Sequence, residues 1–403
     1  MKKILFIVLT LLILTSSLIY AAPLNELEPI EPGPIEEFAP GPMENPPPQA
    51  VDEPIDSTDE EAVVLEAGEA ESRQDLYEDI RVQDVKIEIK TGKYKGQVRE
   101  IENHLSENDA YNILVEKGDK VIVLIEEYGD RYEVFIADYL RSDYIIYLAV
   151  LGIALVLLVG RFKGLKSLIS LGLTIGAVVY ILLPQILKGA DPVALSIIIS
   201  IVITIVTIFM VSGVNNKGLA AILGTVSGVM IAGIISYISG NLAHLTGLSA
   251  QEATMLIYIP QAIEFNFRKL LFAGIILGSL GAVMDVGMSI ASSIEEIYRA
   301  NNDLSVRDLF NSGMNVGRDI MGTMINTLIL AYTGTSIPML LLFMAYETSM
   351  TKIVNLDIIA TEVVRSLSGS IGLILTIPIT AIIASLLIKR GTLRKEKGVD
   401  IND

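Results

Sequence analysis

The sequence predicts a mainly α-helical membrane protein: a polytopic seven-helix transmembrane bundle preceded by a small extracytoplasmic β-barrel-like domain and a disordered acidic linker. Three observations carry this reading. Of 403 residues, 51% are hydrophobic and only 19% charged, a balance that favours membrane spans over soluble cores. Seven runs carry at most one charge, at 144–160, 167–187, 192–216, 219–242, 270–294, 320–346 and 366–388, and each approaches or exceeds the ~20 residues that cross a bilayer as a helix. The formal charge of −17 is localised: residues 23–79 hold 18 Asp/Glu and one Arg, and the rest balances at 29 basic against 29 acidic residues.

In chain order, residues 1–22 read as a signal peptide or an uncleaved signal anchor, with Lys2 and Lys3 before an apolar run (Ile4 to Leu14) and a small-residue exit at Ala21-Ala22. Residues 23–80 are the acidic linker; ten prolines between Pro23 and Pro54 and little apolar surface leave nothing to offset the entropy of ordering. Residues 81–141 change character. Runs such as Val82 to Ile89, Val121 to Ile125 and Tyr132 to Ile136, with Gly118-Asp119 and Gly129-Asp130 between them, predict four or five short strands of a small β-domain. Residues 142–390 hold the seven spans, and 391–403 form a tail.

Orientation follows from counting basic residues in alternate loops. One side holds twelve: Arg161, Lys163, Lys166, Lys217, Arg299, Arg307, Arg318, Lys389, Arg390, Arg394, Lys395 and Lys397. The other holds five: Lys188, Arg268, Lys269, Lys352 and Arg365. The C-terminus is therefore expected in the cytoplasm of a bacterial cell whose plasma (inner) membrane the chain crosses, with the β-domain outside, in agreement with the N-terminal signal. The basic tail suits contact with anionic membrane lipids. Residues 253–263, apolar but interrupted by Pro260, are too short to cross and read as interfacial or re-entrant.

Two spans carry polar residues at helical spacing. In the fifth, Gly274, Gly278, Gly281, Asp285, Ser289, Ser292 and Glu296 recur at three- and four-residue steps, so they share one face. The glycines suit close helix packing, and a carboxylate inside a membrane is costly enough to suggest function. In the sixth, Asn315, Asp319, Gly322, Asn326 and Thr333 share a face, with Arg318 beside it as an expected ion-pair partner of Asp285 or Glu296. The run Tyr332-Thr333-Gly334-Thr335-Ser336-Ile337-Pro338 should break this helix. Such a break either shapes a solute site or is a packed kink satisfied by hydroxyls. These residues, with Thr335, form the expected transport path or polar core.

No enzyme signature accompanies them. Walker A, GxSxG, HExxH and Rossmann patterns are absent, zero cysteines exclude thiolate catalysis and Cys-based metal sites, and two histidines leave little for an imidazole site. No cofactor, no metal and no nucleic acid are expected. The block Gly278 to Glu296, with Asp285, Ser289 and Ser292, and the block Asn311 to Tyr332, with Asn315, Arg318, Asp319, Gly322 and Asn326, resemble the signature of the YibE/F family of bacterial multi-pass membrane proteins. The resemblance covers residues 138–390 and implies a membrane protein for which a permease role has been suggested, without naming a reaction. The expected function is thus a transporter or permease of an ion or small polar solute between spans five and six. The alternative is a sensing, partner-binding or scaffold protein whose β-domain meets an envelope partner, and a homo-oligomer is compatible with either.

Overall fold

The computed structural model describes residues 56–74, 79–106, 112–129, 131–259, 265–346 and 349–396. The expected signal segment, the linker up to residue 55, Pro260 at the centre of the expected re-entrant segment, and residues 397–403 of the tail lie outside them. The chain divides after Leu140 into two compact units.

The first unit is a six-stranded antiparallel half-barrel of β1 (Asp56–Ala67), β2 (Glu71–Gln74), β3 (Asp79–Ile89), β4 (Val98–Leu105), β5 (Lys120–Tyr128) and β6 (Arg131–Tyr139). The strand order is β2-β3-β1-β5-β6, with β4 also pairing β3. Period-2 alternation turns Ala62, Val64, Val85, Ile87, Ile89, Val121, Val123 and Ile125 into one core. β1 corrects the expected linker boundary at residue 80: the sheet begins at Asp56, inside the acidic stretch, and β1 pairs with both β3 and β5. Its acidic residues are exposed except Glu60, which is half-buried and accepts from Thr91 Oγ1 at 2.6 Å, whereas Ala62 and Val64 are buried. Between β4 and β6, side chains bridge the gap, with Arg99 Nε donating to Tyr132 Oη at 2.7 Å and Tyr132 stacked on Tyr94 at 4.0 Å. Inside, buried Gln83 donates to the carbonyls of Val115 (2.8 Å) and Gly68 (3.0 Å).

The second unit is helical. α1 (Ser142–Ala177) continues through a π-helical turn (Val178–Leu182) and a last turn (Leu183–Ile186). There follow α2 (Pro192–Ser212), α3 (Asn216–Leu242), short α4 (Gln251–Met255), α5 (Phe267–Ala300), α6 (Val306–Thr335), α7 (Ile337–Ala345), short α8 (Met350–Val354) and α9 (Asp357–Glu396). Five helices are long and apolar enough to cross a membrane, or six if α6 and α7, bent by 59°, form one broken span. The expected count of seven differs at one place. The first two apolar runs lie in one continuous helical stretch, Ser142–Ile186, made of two helices that meet at a kink instead of being separated by a loop. The expected loop is reduced to one residue, Arg161, whose backbone (φ 48°, ψ −130°) leaves helical geometry. The break folds the chain so tightly that a Cβ at Gly164 would lie 2.3 Å from the Val156 carbonyl oxygen. Only glycine fits there.

The bundle centre is a seam of α3, α5 and α9. A Cβ on Gly224 would sit 1.9 Å from Thr380 Oγ1, one on Gly228 1.8 Å from Thr376 Oγ1, and one on Gly287 2.8 Å from Thr225 Oγ1. These helices approach closely enough that glycine faces threonine directly. α6 adds to it through Gly313, against Ile294, and Gly317, against Ile377.

Candidate functional site

The polar residues of spans five and six fall on α5 and α6, as their spacing predicts. α5 starts from Asn266, which caps Lys269 N–H at 3.0 Å, and α6 from a capping box between Ser305 and Asp308. Contacts of Gly313 with Ile294, of Gly317 with Ile290 and of Gly278 with the Tyr332 hydroxyl set the two helices antiparallel and place Asp285 abreast of the turn at Gly322. Asp285 lies about 22 Å along the axis from the Ala300 end and about 27 Å from the Phe267 end, near mid-span.

The direction of the face is the finding. Gly274, Gly278, Gly281, Asp285, Ser289 and Glu296 are all exposed and Ser292 is half-buried; Asn315, Arg318, Asp319, Gly322, Asn326, Thr333 and Thr335 are exposed on α6. Positions Gly274, Gly281 and Gly322 have no heavy atom within 4 Å of a would-be Cβ, and Gly278 meets only the Tyr332 hydroxyl at 3.2 Å. Within one chain Gly274, Gly281 and Gly322 face no neighbouring atom and Gly278 touches α6 only at Tyr332, whereas Gly224, Gly228, Gly287, Gly313, Gly317 and Gly372 lie at close helix contacts. The two stripes form one outward polar sector and enclose no channel.

Inside this sector the side chains are sparsely paired. Arg318 Nη1 donates to Asn315 Oδ1 at 2.9 Å, one turn back on its own helix, and not to Asp285 or Glu296 as expected. Glu296 instead lies 3.7 Å from Arg299. Among the described residues, none bonds to the carboxylates of Asp285 and Asp319 or to the Asn326 amide. At the break, Thr335 Oγ1 (2.8 Å) and Ser336 Oγ (3.3 Å) donate to the Tyr332 carbonyl, so hydroxyls satisfy a carbonyl left free where the Ser336 N–H turns to Thr333 and α6 ends. Among the described residues no group of three or more His, Asp or Glu is arranged to hold a metal ion.

Sequence reasoning missed the clamps at the two ends of the bundle. At one end Lys217 Nζ lies 2.8 Å from Glu295, which also accepts from Arg299 at 3.1 Å; Asn216 donates to the Leu387 carbonyl and Lys389 to that of Asn302. At the other, Lys269 meets Asp191 at 2.6 Å, Arg268 donates to Asn241 and the Leu245 carbonyl, and Thr246 donates to Asp357 through its hydroxyl (2.7 Å) and its N–H. The Ala194 N–H and then the Lys269 ammonium hold the Asp191 carboxyl below the usual range. Arg365, expected in a loop, sits inside α9, paired with Glu362 at 2.6 Å and over the Tyr332 ring. The adjacent Glu295 and Glu296 look alike in sequence; only contact separates the anchor, 16% exposed, from its neighbour, 69% exposed.

Two family models match the chain: one described as YibE/F-like protein over residues 148–390, and one described as the YibE/F family N-terminal domain over residues 60–139. The second match brings the half-barrel into the family, beyond the resemblance read from residues 138–390. No curated protein and no solved structure matches. Apolar helices long enough to span, the polar blocks on α5 and α6, and matches covering both units agree: the chain belongs to the YibE/F family of membrane proteins.

Proposed function

We propose that the protein is a transporter or permease of an ion or small polar solute and that the α5–α6 sector is its path. One observation carries the reading: Asp285, near mid-span, shares an outward face with Asp319 and Asn326 of the neighbouring helix. A carboxylate at that depth is expensive and persists where it serves a polar pathway or partner. Without an ATP-binding motif, movement is driven by a gradient or by a separate energising subunit, and the chain is not an enzyme.

In this reading the two halves of α1, folded at Arg161, each cross the membrane, and α6 with α7 crosses once, which makes seven crossings. The C-terminus lies in the cytoplasm and the half-barrel outside the plasma membrane. Reporter fusions at the C-terminus and before Asp56 check that orientation. The test of transport is flux of protons and a panel of alkali and divalent cations in proteoliposomes. The expected result is flux in the wild type that is lost in Asp285→Asn; unchanged flux in a folded Asp285→Asn protein overturns the assignment of the path.

A further inference from the structure

We infer that the α5–α6 polar sector is the contact between two copies of this chain, so that the path is enclosed by a dimer and not by one chain. Exposed surface on the other long helices is largely apolar and suits lipid: Val202 and Ile205 on α2, Leu223 and Ile234 on α3, Leu375 and Ile382 on α9. The α5–α6 sector is different. It sets two carboxylates, one guanidinium and two amides on one exposed surface, with Asp285 and Asn326 inside the apolar runs and Asn315, Arg318 and Asp319 just before the sixth, and lipid offers the two inner groups no partner.

The sector is complementary to itself. Arg318 supplies the donors that Asp285 and Asp319 lack, and Asn315 and Asn326 both donate and accept. A two-fold axis brings the same patch of each copy together, so a surface carrying both signs of charge satisfies itself. Open positions at Gly274, Gly281 and Gly322 let a second backbone approach closely. The first half of α1 does not fit this role. It is exposed on every side, yet residues 144–160 contain no charge, amide or aliphatic hydroxyl to meet the sector. The inference rests on the cost of polar groups in lipid, and it holds whether or not the protein transports.

The chain has no cysteine, which makes single-cysteine crosslinking in proteoliposomes of the purified full-length protein direct. Gly281→Cys, Gly322→Cys and Asn326→Cys report on the sector; Val159→Cys on α1, 79% exposed, reports on random encounter. A disulfide needs Cβ atoms about 3.8 Å apart, so each variant is oxidised alone and in pairwise mixtures. The expected result is a band at twice the chain's mass from at least one sector position, persisting as excess lipid is added while the Val159→Cys band fades. In that variant, a further Arg318→Glu change weakens association by about tenfold or more, because like charges then face each other. No doubled band at sector cysteines that still react with a maleimide, fading in step with the control, or indifference to Arg318→Glu overturns the inference. Flux without a dimer overturns this inference alone; a dimer without flux overturns the transport reading alone.

Discussion

The α3–α5–α9 seam and the α5–α6 sector both carry glycines at helical spacing, and they do opposite things. In the seam, Gly224 and Gly228 are filled by Thr380 and Thr376. In the sector, Gly274, Gly281 and Gly322 face open space, beside the Asp285 and Asp319 carboxylates and the Asn326 amide, to which no described residue in the chain bonds. Four-residue spacing determines which residues share a face. What meets that face is a property of the assembled structure.

The sharpest way to break the comparison is a bulky residue in the seam. Gly228→Val puts a side chain where Thr376 Oγ1 already sits, and we expect a loss of about 3 kcal/mol from overpacking, read as detergent-micelle unfolding, with partial recovery in Gly228→Val/Thr376→Ala. The next effect is electrostatic. Lys217→Met leaves Glu295 with Arg299 alone, a cost of about 2 kcal/mol, below that of fully breaking a buried pair. Smaller again is Asp191→Ala, which removes the N-cap of α2 and costs about 1 kcal/mol. Because the folded carboxyl is held below its ordinary value, the Asp191 contribution is fully present above the unfolded pKa of about 4 and is lost as pH falls through the lower folded value. Wild type and Asp191→Ala should therefore converge in stability in strong acid; a difference that stays constant with pH contradicts the assigned role. The smallest effect belongs to the sector: Gly281→Val should change monomer stability by no more than about 0.5 kcal/mol. A loss as large as that of Gly228→Val would show that the two regions are not distinct.

Much of the fold was legible because membrane spans are defined by length and missing charge, which a sequence displays directly. The face of α5 was legible too, since every residue assigned to it from Gly274 to Glu296 is at least half-exposed on one side. Its outward direction was not, because periodicity does not distinguish a face turned to the bundle from one turned away. β1 was hidden by composition: its acidic residues look like linker, and only the two-residue step from Ala62 to Val64 marks a buried strand. The helical run through Arg161 was hidden by its charges, since Arg161, Lys163 and Lys166 read as a loop while the break takes a single residue.

On α3, Ala220, Gly224, Gly228, Ala232, Ser236 and Gly240 are all buried at four-residue steps, and α9 answers with Gly372, Thr376, Thr380 and Ala384. The order along the ladder sets its offset: slid by one turn, about 5.4 Å, either Ala220 would meet Thr380 or Ala232 would meet Thr376, where the present glycines leave less than 2 Å for a Cβ. The seam therefore works as a key as well as a contact. The ties at its ends, Asn216 to the Leu387 carbonyl and Thr246 to Asp357, hold the same offset a second time.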